Sequence, residues 1–92
     1  MNHRQIDLGN LPLAEQIQLT YPEEPDWDKV DSKTLVALVE DFVMEQSCAT
    51  IAIGHLATRR HERAVELANW LLEQECADEW LKASALDVLA AE

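Results

Sequence analysis

Glycine, proline and basic side chains are scarce in this chain of 92 residues, and each scarcity removes a class of function. The only glycines are Gly9 and Gly54, so no glycine-rich loop can cradle a phosphate or a dinucleotide. The prolines, Pro12, Pro22 and Pro25, all fall in the first part of the chain, and everything after Pro25 is free to be helix. Seven lysines and arginines face 18 aspartates and glutamates, a net charge of −11. That field repels phosphate backbones and anionic lipid, so neither nucleic acid nor a membrane surface is expected as a partner. No apolar run approaches the roughly 20 residues of a membrane span. Near the start, Leu8, Leu11, Leu13, Ile17 and Leu19 are interleaved with polar groups, unlike a secretory leader. Two cysteines in such a chain read as reduced thiols, and a cytoplasmic location is expected.

Residues with catalytic or metal-binding chemistry are also thinly spread. Cys48, His55, His61 and Cys76 follow the spacing Cys-x6-His-x5-His-x14-Cys, which lacks the close ligand pairs of zinc motifs. The expectation is that the cysteines serve as small hydrophobes and the histidines as polar surface groups. No serine–histidine–acid or cysteine–histidine arrangement is legible. The chain is therefore read as not an enzyme, with no catalytic residues, no cofactor and no metal site.

What is present is apolar periodicity. Apolar residues make up 48% of the composition, enough for one small domain with a thin core. Residues 1–31 form an N-terminal arm. In it, Asn10 can cap a short helix with Pro12 in its first turn, Leu13, Ile17 and Tyr21 form a stripe, and Pro22 ends it. A connector over 22–31 follows, with Glu23, Glu24, Asp26, Asp28 and Asp31 against a single lysine. Residues 32–92 then read as a helical-hairpin region. Asp31 or Ser32 caps a helix bearing Leu35, Leu38, Val39, Phe42 and Val43. Ser47 caps a second bearing Cys48, Ile51, Ala52, Leu56 and Ala57. A third runs from about Glu62 to Glu75, and a fourth, capped by Asp78, carries Trp80, Leu81, Ala85, Leu86, Val88 and Leu89. The last two have apolar arcs wide enough to pack on two neighbours.

The strongest pattern is a register of 33 residues (71 − 38 = 33), which sets Leu38 on Leu71, Glu40 on Glu73, Glu45 on Asp78, Ala52 on Ala85 and Leu56 on Leu89. A fixed period in this range marks stacked helical hairpins, whose usual work is to hold another protein. The expected fold class is all-α: two stacked antiparallel hairpins with a short helical arm.

Arg63-Ala64-Val65-Glu66-Leu67, Trp70-Leu71-Leu72-Glu73 and Ala85-Leu86-Asp87-Val88-Leu89 resemble HEAT-like repeats. The turn Arg60-His61, the alanine at 64 and the corner Gln74-Glu75-Cys76-Ala77-Asp78 leading into Trp80-Leu81 look like tetratricopeptide repeats, whose length lies close to this register. The glycine and tyrosine signatures of the latter are absent, and Cys76 stands where its corner proline is usual. More narrowly, His61-Glu62-Arg63-Ala64, Ala68-Asn69-Trp70-Leu71 and Leu81-Lys82-Ala83-Ser84-Ala85-Leu86 are similar to tetratricopeptide-type co-chaperones of type III secretion needle subunits. That likeness covers about residues 47–89 and implies a cytoplasmic chaperone that cradles an amphipathic helix.

The expected function is thus a non-enzymatic protein–protein interaction module, an adaptor or chaperone. Its apolar grooves would lie around Phe42, Trp70 and Trp80, with Trp80 the more exposed of the two tryptophans. The alternative is a small acidic inhibitor, in the style of immunity proteins, neutralising a basic partner through Glu23, Glu24, Asp26 and Asp28, with Tyr21 and Trp27 as aromatic anchors. The favoured reading of Trp27 itself is that it folds back to cover an open edge of the short stack. The basic turn Arg59, Arg60, His61 and Arg63 either grips an acidic segment or complements a helix C-terminus. The exposed end of the last helix is expected to be covered by a partner or by a second copy in a homodimer.

Overall fold

The computed structural model describes residues 11–91, so the expected Asn10 cap lies outside the described residues. All regular structure among them is helical: α1 (Leu13–Thr20), a 3-10 turn (Trp27–Lys29), α2 (Ser32–Glu40), α3 (Gln46–Thr58), α4 (Ala64–Leu72) and α5 (Glu79–Ala90). Helices α2 and α3 form one hairpin, α4 and α5 the other, and α1 lies against α2.

Cap chemistry sets the boundaries. Asp31 precedes α2 and accepts from the Thr34 amide and, at 2.6 Å, from the Thr34 hydroxyl. That hydroxyl, with the amide and nearby Lys33, holds the Asp31 carboxyl below its usual range. The cap of α3 is Glu45, which accepts from the Ser47 amide, and not Ser47 itself. The cap of α5 is Asp78, accepting from the Leu81 amide at 2.8 Å. Glu45 and Asp78, matched by the 33-residue register, therefore do the same local work.

Two helices are shorter than periodicity predicts. Helix α2 stops at Glu40 because the chain tightens into i→i+3 bonds, Phe42 N–H to Val39 O and Met44 N–H to Asp41 O. The turn swings Phe42 into the core and leaves Val43 in solvent. Helix α4 begins at Ala64 because the Arg63 amide donates to His61 Nδ1 instead of starting a helical ladder. It ends at Leu72, where Glu73 and Gln74 turn back onto Trp70 and Leu71.

One core joins all of this, and α3 is its axis. Cys48, Ala49, Ala52, Ile53 and Leu56 of α3 are fully buried, and α3 packs on α2, α5 and α4. Its small residues let neighbours approach closely. The last two helices each pack on two neighbours, as their wide apolar arcs predict: α5 lies on α4 and α3, and α4 on α5 and α3. Helix α5 buries Leu81, Ala85 and Val88 and exposes Trp80 and Leu86. The arm shares the core through Ile17 and Val30.

Candidate functional site: an acidic, apolar end of the helical stack

The side chain of Gln46, at the start of α3, fixes how the hairpins meet. Its Nε2 donates to Cys76 O at 2.9 Å, and its Oε1 accepts from the Asp78 amide at 2.6 Å. The N-termini of α3 and α5 are thereby side by side, so the α2–α3 and α4–α5 corners share one end of the molecule. The C-terminus of α1 joins them: Gln18 Nε2 donates to Asp41 Oδ2 at 3.2 Å.

That end is chemically one-sided. No lysine or arginine occurs between Lys33 and Arg59 or between Arg63 and Lys82. The corners carry Glu40, Asp41, Glu45, Glu73, Glu75, Asp78 and Glu79. Of these, Glu40 pairs with Arg63 at 3.2 Å. Among the acids stand apolar side chains: Leu19, Val43 and Met44 are more than half exposed, and Trp80 is 73% exposed. Tyr21, Ser47, Thr50, Ile51, Asp78 and Trp80 line a cleft of about 240 Å³. Leu19 and Met44 border a neighbouring hollow with Glu15, Gln18 and Asp41.

The nine residues expected to meet a partner fall in three places. Tyr21 and Trp80 come together in the acidic-end cleft. Trp70 is half-buried and packs edge-to-face on Phe42, ring centroids 5.7 Å apart, beside a hollow lined by Glu40, Arg63, Glu66 and Leu67. Phe42 itself is a core residue, not a groove residue, since only 3% of it is exposed. The acidic arm folds back on the stack. Trp27 stacks on His55 at 6.0 Å and donates its indole N–H to Glu24. Asp26 lies 3.9 Å from Lys29, and Asp28 lies 4.0 Å from His55. Glu23 and Glu24 border α1. The arm's carboxylates are thus dispersed around the outside and form no single patch with Trp80.

The basic turn is largely committed internally. Arg59 donates to Ser32 Oγ and Trp27 O, tying the C-terminus of α3 to the start of α2. Arg63 spans Glu66 at 2.7 Å and Glu40, and both carboxylates hold its guanidinium more firmly protonated. Arg60 sits past the helix end at φ 56°. The metal-capable side chains do not converge: Cys48 is buried, Cys76 is exposed, His55 stacks on Trp27, and His61 accepts a backbone amide. Burial, reinforced by Glu45 and Glu24, pushes the Cys48 thiol up to about 11.

Periodicity did not point to Tyr21, Ile51 or Asp78 as neighbours of Trp80. The available signal was the charge map, in which both corners lack a base. Comparison of the chain with protein-family models, curated proteins and solved structures gives no match. No helix among the described residues is long and apolar enough to cross a membrane.

Proposed function

We propose that this protein is a non-enzymatic binding module, an adaptor or chaperone of the cytoplasm, that receives an amphipathic helix of another protein at its acidic end. The observation that carries the reading is Trp80, 73% exposed in a cleft with Tyr21 and Ile51 where both corners bear only acids. Exposed aromatics beside apolar hollows are the usual energetic centres of helix-in-groove interfaces. The resemblance to tetratricopeptide and HEAT units, and to the needle-subunit co-chaperones, points the same way. A designed helical peptide of leucine and arginine at amphipathic spacing tests it by fluorescence anisotropy. Trp80→Asp and Met44→Asp each place a charge on an exposed position and should weaken binding by at least about tenfold. No binding, or binding indifferent to both changes, would overturn the reading.

A second reading is favoured by the charge asymmetry alone: an acidic inhibitor held by charge against a basic protein. Its association rate would fall steeply with salt, whereas a helix held by Trp80 and Met44 keeps most of its affinity.

A further inference from the structure

We propose that the cleft between Tyr21 and Trp80 takes the side chain of an arginine or lysine from the docked helix. This rests on the helix-receiving reading and specifies the chemistry of its anchor. The cleft, at about 240 Å³, is smaller than the roughly 300–1,000 Å³ of drug-sized sites and suits one long side chain. Ile51 supplies apolar surface for an aliphatic stem, and two aromatic rings attract a cationic head. Asp78 supplies the counter-charge: one carboxylate oxygen caps the Leu81 amide, and the other has no protein donor among the described residues.

Charge complementarity selects this occupant over the alternatives. No lysine or arginine lines the cleft. The positive ends of α3 and α5 open here, but the cap carboxylates of Glu45 and Asp78, with Glu79 in the first turn of α5, oppose them. An anionic guest would meet the field of a chain of net charge −11. A purely apolar guest would strip water from Asp78 without replacing it, which is costly for a carboxylate. A guanidinium meets both the rings and the acid.

The leucine–arginine peptide and its citrulline counterpart, equal in shape but neutral, separate these cases. Asp78→Asn keeps the helix cap, because asparagine caps as well as aspartate, and removes only the charge. It should weaken the arginine peptide by roughly three- to tenfold and leave the citrulline peptide unchanged. Asp87→Asn, further along α5, removes the same charge elsewhere and should change neither. Trp80→Ala should weaken the arginine peptide by roughly tenfold, with an unaltered thermal melt because the ring is exposed. Equal losses from Asp78→Asn with both peptides, or from Asp87→Asn and Asp78→Asn alike, would overturn the anchor. If Met44→Asp still abolished binding in that case, the helix-receiving reading would survive. No binding of either peptide would overturn both.

Discussion

Two backbone positions in this chain are occupied by the less favourable residue. Gly54 lies inside α3, exposed, and beyond its own helix backbone and chain neighbours nothing comes within 4 Å of where a Cβ would stand. Mid-helix glycine costs roughly 0.5–1 kcal/mol relative to alanine, so Gly54→Ala should stabilise the fold by about that amount in urea unfolding. Arg60 shows the opposite mismatch. Its amide donates to Ala57 O, and the His61 amide to Leu56 O, both at 2.9 Å, which is the Schellman closure of a helix. The closing residue is left-handed at φ 56°, where a side chain costs roughly 1–2 kcal/mol. Arg60→Gly should therefore stabilise by about 1 kcal/mol; an unchanged or lower midpoint would mean that the guanidinium contributes more than its backbone loses. The cysteines differ as sharply. Cys76 is exposed, while Cys48 is buried with its thiol pushed up to about 11. An aromatic disulfide reagent at pH 8 should label one thiol per native chain, at Cys76, and the second only after denaturant is added.

At the scale of helices, the places where sequence reading succeeded and failed have physical causes. Hairpins and most helix boundaries were legible because they depend on neighbours within a few residues: Asp31, one of two candidates before α2, Asp78 before α5, and Pro22 just past α1; the cap of α3 was missed by two residues, at Glu45 and not Ser47. The end of α2 was not. Phe42 and Val43 continue its apolar stripe, yet a tight turn sends one inward and the other to solvent, and only packing against Trp70 decides which. Trp80 could be placed outside by its position at the start of the last helix; that it meets Tyr21 could not, since no local pattern relates them. The Gln46 clasp is the clearest case, because its partners lie 30 and 32 residues away. It also makes a prediction. Gln46→Ala removes both hydrogen bonds and leaves Cys76 O and the Asp78 amide to water, so a loss of about 1–2 kcal/mol is expected. Hydrogen exchange should localise the loosening to the 73–78 corner. A uniform loss across all helices would mean that the clasp is part of the global core and not a local stitch.

At the scale of the whole molecule, charge is distributed as unevenly as apolar surface, and the two coincide at one end. The described ion pairs are few: Arg63 with Glu40 and Glu66, and Lys29 with Asp26, all partly or largely exposed. Exposed pairs of this kind contribute little, about 0–1 kcal/mol each, and salt weakens them. Against them stands the mutual repulsion of the corner carboxylates, which folding brings together and the extended unfolded chain relaxes. Repulsion is the larger effect here, so salt should stabilise this fold, the reverse of a protein held by surface ion pairs. Raising NaCl from 10 mM to 1 M shortens the screening length from about 30 Å to 3 Å. Relief of about 1 kcal/mol would raise the melting temperature of a domain this size by roughly 4–8 °C. General effects of salt on apolar surface are separated by the double variant Glu73→Gln, Glu75→Gln, which lies on the corner and touches no ion pair. It should melt higher than the parent at low salt and respond less to added salt. If both proteins respond equally, corner repulsion is not what salt relieves. A helix bearing arginines would relieve the same strain on docking, so a partner at this end should raise the melting temperature most where salt is lowest.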